Sequence, residues 1–260
     1  MSGLRFSIAN FQQQQPLRRL AISDLLMLIF CVSISLAFIA PWIDEIRKMP
    51  DEMFRGPKSL AIVIPVLDHL GIGLTFFGLA TLTRERWYRR LPSLSPGHWY
   101  FLIAGPMVMS ALLTELLNRR GGPWPVSVYL IQGAFDLTAG IVGAWAIYST
   151  PLWRWRVCLG LVTASAFFLS TRALYRVTEI SGYTGYQYQL HLVALWGTDV
   201  IASGAAAVLA VTVDLLRRTR RDWLHYFAIV ALLLTAMTVG LAFRPILSRF
   251  WLDVCSHFLG

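Results

Sequence analysis

The sequence predicts an all-α protein, a polytopic membrane helix bundle of seven transmembrane helices with an inside amino terminus and an outside carboxyl terminus. Of its 260 residues, 56% are hydrophobic. Charged residues make up only 14% of the chain, well below the roughly 25% that is usual in soluble domains. Apolar runs of about 20 residues recur along the chain, and this is the length that crosses a hydrocarbon core of about 30 Å.

The predicted spans alternate with short polar segments. They cover residues 21–40, 60–82, 98–118, 126–149, 157–174, 190–213 and 223–243. The segment from Trp42 to Lys58 carries balanced charges and is predicted to be a loop. The run Trp153-Arg154-Trp155-Arg156 is predicted to close the fourth span.

Polar or amphipathic segments flank the transmembrane domain, which covers residues 21–245. Residues 1–20 form a polar leader with three arginines. The apolar run that follows is longer than the core of a secretion signal, which predicts an uncleaved first span. Residues 246–260 are predicted to form a short amphipathic helix in the membrane interface. Its apolar face would carry Leu247, Phe250, Trp251, Val254 and Phe258.

The distribution of basic residues predicts the orientation. The leader and the loops after spans two, four and six hold 13 of the 23 lysines and arginines. Four of the remaining ten lie in the charge-balanced loop after the first span. The positive-inside rule therefore favours an inside amino terminus in a bacterial-type inner membrane. Because the arginines sit in short clusters between spans, the net charge of +9 does not indicate binding to nucleic acid.

Asp68, Asp136 and Asp199 are the strongest candidates for function, because each lies inside a predicted span. A carboxylate at the centre of a transmembrane helix costs about 2.5–3.5 kcal/mol on insertion scales. Counted from the outer end of its span, each aspartate lies about 12–16 Å deep at 1.5 Å per residue, so the three share one level. Small or polar residues accompany each aspartate on its helical face, which favours close helix contacts. We therefore predict that the three carboxylates converge on one binding site for an ion or a proton.

The same aspartates also have a structural interpretation. Each could be protonated, or bonded to a serine, a tyrosine or a backbone carbonyl, and so hold neighbouring helices together. No lysine or arginine falls in the middle of a span to pair with them. Glu115 and Asp214 lie near span ends and are predicted to be interfacial.

His69 is the residue on which an alternative function depends. It adjoins Asp68, but successive side chains point about 100° apart around a helix. Together with His191 it could ligate haem or a metal, although His191 lies at the outer edge of its span. The motifs of zinc peptidases, serine hydrolases and P-loop proteins are absent from the sequence. The cofactor is unknown, and an intramembrane enzyme or a haem- or metal-binding protein using His69 remains the alternative.

A non-enzymatic role is favoured over that alternative. The chain is predicted to be a small transporter with an aspartate-lined site near the midplane, or a membrane-embedded subunit or scaffold of a larger complex. Glycine and alanine faces turned outward would indicate a scaffold, because they would pack against other chains. The expected partners are the lipid bilayer and either other membrane subunits or further copies of this chain.

Overall fold

The computed structural model describes residues 21–53, 57–89, 94–118, 126–179, 186–219, 221–244 and 246–248. Within these residues the protein is 92% helical and contains no strand. The predicted leader lies outside the described residues, and so does most of the predicted interfacial tail. Leu247, in the first part of that tail, is buried close to Gly197.

Seven long helices make up the described structure. They are α1 (Ile22–Lys48), α2 (Lys58–Arg89), α3 (Pro96–Asn118), α4 (Val126–Ser149), α5 (Trp153–Glu179), α6 (Tyr186–Leu216) and α7 (Trp223–Ala242). A short 3₁₀ turn, Asp51–Met53, separates the first two. All seven helices are long and apolar enough to cross a membrane, which confirms the predicted spans. The chain is therefore a multi-pass integral membrane protein, and the orientation of its termini stays a prediction.

Helix α1 is longer than predicted and continues through Pro41 to Lys48. A proline inside a helix removes one backbone hydrogen bond and usually bends or ends the helix. Here Ile39 and Ile46, two turns apart, are both buried. The helix therefore remains packed on both sides of Pro41, and the prediction that a loop begins at Trp42 is wrong.

The run Trp153-Arg154-Trp155-Arg156 begins α5 and does not close α4. The backbone N–H groups of Trp155 and Arg156 both donate to the carbonyl of Leu152, which starts the helix. Pro151 lies just before this turn and outside the helix. Trp155 is also buried, which holds this end of α5 against the bundle.

The helices follow a simple packing order. Helices α2, α7, α6, α5, α4 and α3 succeed one another around the bundle, and α1 packs on the outside against α2. Helix α3 is the central element, since it contacts α2, α4, α5 and α7. Large side chains fill the core between these helices; among them are Phe77, Phe101, Ile103, Trp155 and Leu224.

Glycines allow several of these helices to approach closely. A Cβ added at Gly73 would lie 2.9 Å from the Cα of Val32, so α1 and α2 meet almost backbone to backbone. A Cβ added at Gly143 would lie 2.1 Å from Oγ1 of Thr163, across the contact between α4 and α5. The outward faces carry large apolar side chains, as expected for contact with the lipid bilayer.

Candidate functional site in the bundle interior

Asp136 is the most deeply buried of the three predicted site residues. It lies near the middle of α4, and only 1% of its surface is exposed. Its Oδ2 atom accepts a hydrogen bond of 3.3 Å from the hydroxyl of Ser110 on α3. Its Oδ1 atom has no hydrogen-bond partner in the part of the chain that the structure describes. The carboxyl group is thus removed from solvent with only one long hydrogen bond.

Asp199 lies at a different interface. Its Oδ2 atom accepts a hydrogen bond of 2.5 Å from the hydroxyl of Ser165, so the pair connects α6 with α5. This carboxyl group is partly exposed, and the short bond fits the structural interpretation that the sequence left open.

Asp68 lies on α2 in a group with His69 and Glu115. The Nδ1 atom of His69 is 3.1 Å from the carbonyl oxygen of Pro65, one turn earlier in the same helix. The Nε2 atom of His69 is 3.3 Å from Oε2 of Glu115, on α3. Asp68 interacts electrostatically with both of these residues. The hydroxyl of Ser35, on α1, donates a hydrogen bond of 2.7 Å to the backbone carbonyl of His69.

The three predicted aspartates therefore occupy three helix interfaces: α2 with α3, α3 with α4, and α5 with α6. Across the described ranges, no hydrogen bond or ion pair joins any two of them. A shared ion site remains a prediction. Helix α3 takes part in two of the three interfaces, through Glu115 and Ser110.

Further polar side chains of α3 and α4 contact one another near Asp136. The Thr114 hydroxyl donates a hydrogen bond of 3.0 Å to the carbonyl of Ser110. The side-chain amide of Gln132, on α4, donates to Oγ1 of Thr114 at 3.0 Å. The Ser110 hydroxyl in turn donates to Asp136. Polar contacts between α3 and α4 therefore surround Asp136 on one side.

A second set of charged groups lies at the other end of the bundle, where the sequence predicts the inner membrane face. Asp214 is 1% exposed and accepts three hydrogen bonds. Arg154 donates to its Oδ1 atom. Trp155 Nε1 and Arg221 Nε donate to its Oδ2 atom at 3.1 and 3.0 Å. This buried carboxylate joins α5, α6 and the turn that precedes α7.

The first turns of α3 and α7 are joined at the same end. Asp222 precedes α7, and its Oδ1 atom accepts a hydrogen bond of 2.9 Å from the backbone N–H of His225. Its Oδ2 atom is 2.8 Å from Nε2 of His98, on α3. In return, the backbone N–H of Gly97 donates to Nδ1 of His225 at 2.9 Å. The His225 ring thus satisfies a backbone N–H in the first turn of α3, and His98 contacts the carboxylate that caps α7.

Asp222 is held in its charged form by these contacts. Burial by itself would raise the pKa of Asp222, but the contact with His98 and the backbone N–H of His225 together hold the pKa below its usual range. Asp24, at the start of α1, pairs with Arg84 of α2 in a comparable way. Sequence reasoning missed this set of contacts, because it treated charges near span ends as interfacial.

Comparisons of this chain with protein families, with curated proteins and with solved structures give no match. The fold therefore defines a class only, that of multi-pass integral membrane proteins.

Proposed function

We propose that the chain is a transporter that moves protons or small cations through the interior of its helix bundle. Asp136 carries this proposal. A carboxyl group kept only to hold helices together is expected to have both oxygen atoms hydrogen-bonded, because an unpaired buried polar atom costs roughly 1–3 kcal/mol. The Oδ1 atom of Asp136 lacks such a bond in the described structure. An intramembrane acid with an open oxygen is a natural place for a proton or a cation to bind.

The direction of the glycine faces also favours a transporter over a scaffold. A Cβ added at Gly71 would lie 3.5 Å from Oγ1 of Thr235, on α7. A Cβ added at Gly140 would lie 2.7 Å from the ring of Phe167, on α5. These glycines share helix faces with Asp68 and Asp136, and they pack within the chain. Helices in close contact through small residues can shift past one another, as alternating access requires.

The contacts of His69 do not favour the haem or metal alternative. Both ring nitrogens lie close to protein oxygens, the carbonyl of Pro65 and the carboxylate of Glu115. Ligation would require the ring to leave at least one of them. In the described part of the chain, no group of three or more histidine, cysteine, aspartate or glutamate side chains is arranged to hold a metal ion.

Reconstitution of the purified protein into liposomes tests the proposal. Proton and cation flux are recorded under imposed gradients for the wild type and for Asp68→Asn, Asp136→Asn and Asp199→Asn. We expect Asp136→Asn to abolish most of the flux, because its amide cannot take up a proton. Asp199→Asn should have the smallest effect, since its carboxyl group is already bonded to Ser165. Asp44→Asn, at an exposed carboxylate on α1, is the matched control.

Two results would count against a transporter. Wild-type protein that carries no flux under any gradient would favour a subunit or scaffold of a larger complex. Flux that is equally high in all three variants would show that transport does not depend on the aspartates.

Labelling the same vesicles from one side checks the proposed inside amino terminus. Location in a bacterial-type inner membrane is tested by cell fractionation.

A further inference from the structure

The hydrogen bonds of His69 determine which of its nitrogens carries a proton. A backbone carbonyl can only accept, so the Nδ1 atom that lies 3.1 Å from the carbonyl of Pro65 must be the donor. In a neutral imidazole the other nitrogen, Nε2, then carries a lone pair. That lone pair faces Oε2 of Glu115 at 3.3 Å. Two acceptors in contact repel each other unless a proton lies between them.

His98 provides the opposite case in the same molecule. The backbone N–H of Ser95 can only donate, and it points at Nδ1 of His98 at a distance of 3.2 Å. In the neutral ring the proton is therefore on Nε2, which faces Oδ2 of Asp222 at 2.8 Å. In this pair the neutral ring would already carry a proton on the nitrogen next to the carboxylate.

We propose that His69 and Glu115 together form a proton-binding site, which holds one proton between Nε2 of His69 and Oε2 of Glu115. The inference rests on the proposed transport function and names the group that would load the proton. Binding adds one proton and gives either an imidazolium next to a carboxylate or a neutral histidine next to a carboxylic acid. Release returns the proton and leaves two acceptors in contact, which weakens the connection between α2 and α3 at this point.

The surroundings fit such a role. Asp68 supplies a second acidic group that interacts with both members of the pair. The Ser35 hydroxyl and the Pro65 carbonyl fix the position of His69 from α1 and α2. Thr114, the residue before Glu115 on α3, accepts a hydrogen bond from the side-chain amide of Gln132, on α4.

Magnetic resonance on the full-length protein in lipid, labelled with ¹⁵N in its histidines, tests the site directly. With the site loaded, His69 should carry a proton on Nδ1 and share a second proton at Nε2, whereas the neutral form of His98 should carry its proton on Nε2. In Glu115→Gln the amide N–H can donate to Nε2 of His69. The ring should therefore become the neutral tautomer protonated at Nδ1 and lose the second proton at Nε2. His69→Gln identifies the His69 signal.

Infrared spectra and flux provide the second and third readouts. A carboxylic acid band that is present in the wild type and lost in Glu115→Gln would place the shared proton on the glutamate. A wild-type His69 that is neutral beside an ionised Glu115 would overturn the inference. If flux through Glu115→Gln depended on pH as flux through the wild type does, the proposed proton-binding site would be contradicted, but the transport proposal would not. If the wild-type protein showed the shared proton but carried no flux, the proton-binding site would be supported and the transport proposal would be contradicted.

Discussion

Asp214 and Asp136 are equally buried, each with 1% of its surface exposed, but their surroundings differ. Asp214 accepts hydrogen bonds from Arg154, Trp155 and Arg221 at one end of the bundle. Asp136 accepts one long bond from Ser110 in the bundle interior. Burial alone therefore does not distinguish the two carboxylates. They differ in the number and the charge of their hydrogen-bond donors.

The difference has a physical origin in the membrane. Arginines are inexpensive near the headgroups and costly at the bilayer centre, so they cluster in the turns. Carboxylates at helix ends can therefore find cationic partners, as Asp24 does with Arg84. The mid-helix carboxylates of Asp136 and Asp199 instead accept hydrogen bonds from hydroxyl groups. In the described structure, the carboxylates paired with arginine lie at the helix ends, and these two lie between the ends.

Replacing Asp214 or Asp136 by asparagine should give the largest difference in stability between the two regions. Asp214→Asn leaves Arg154 and Arg221 buried without their counter-charge, and breaking a buried ion pair costs about 3–5 kcal/mol. Asp136→Asn changes a carboxyl group that has no cationic partner and one long hydrogen bond, so the free energy of unfolding should change by only about 0.5–1.5 kcal/mol. Thermal and denaturant unfolding in detergent measure both. Equal losses in the two variants would contradict the contrast between the two regions.

Two glycines test how tightly each region is packed. A Cβ at Gly97 would lie 2.6 Å from the Cα of His225, where α3 meets α7. Backbone atoms cannot move aside cheaply, so Gly97→Ala should cost about 1–3 kcal/mol. A Cβ at Gly133 would lie 3.4 Å from the Cβ of Ala173, close to an ordinary contact. Gly133→Ala should be within about 1 kcal/mol of the wild type, because alanine also favours the helix.

The same unfolding experiment decides the second comparison. If Gly133→Ala proved as damaging as Gly97→Ala, the α4–α5 contact at Gly133 would be as tightly packed as the α3–α7 contact at Gly97. The two regions would then not differ in packing at these positions.

The fold was largely predictable from the sequence, because hydropathy over about 20 residues depends only on local composition. The ends of two spans were not. Pro41 and the tryptophans at 153 and 155 look like interruptions, but buried contacts with other helices keep α1 and α5 helical at these positions. Such contacts depend on which helices are neighbours, and the sequence pattern does not state the order of helices around the bundle.

The candidate site was predictable only in part for the same reason. The cost of burying Asp68, Asp136 and Asp199 pointed to the interior, but their partners lie on helices whose positions the pattern does not define. Glu115 illustrates the difficulty. From its place near a span end it was predicted to be interfacial, whereas the structure brings it to His69. His69 and Glu115 lie on consecutive spans, at similar distances along the chain from the connection between them. This similarity was the signal in the sequence that the two side chains could meet.

Asp222 offers the smallest and most specific test of the inner end. It caps α7 through the backbone N–H of His225, and replacing such a cap by alanine costs about 0.5–2 kcal/mol. The pKa of Asp222 is held below its usual range in the folded protein. Its charge therefore contributes fully to the free energy of unfolding above the unfolded pKa of about 3.9, and this contribution is lost as the pH falls through the lower folded pKa. Unfolding measured across acidic pH should therefore show wild-type stability declining toward that of Asp222→Ala. Asp44→Ala, at an exposed carboxylate, should keep the wild-type profile. A constant difference between Asp222→Ala and the wild type at every pH would mean that Asp222 acts through its shape and not through its charge.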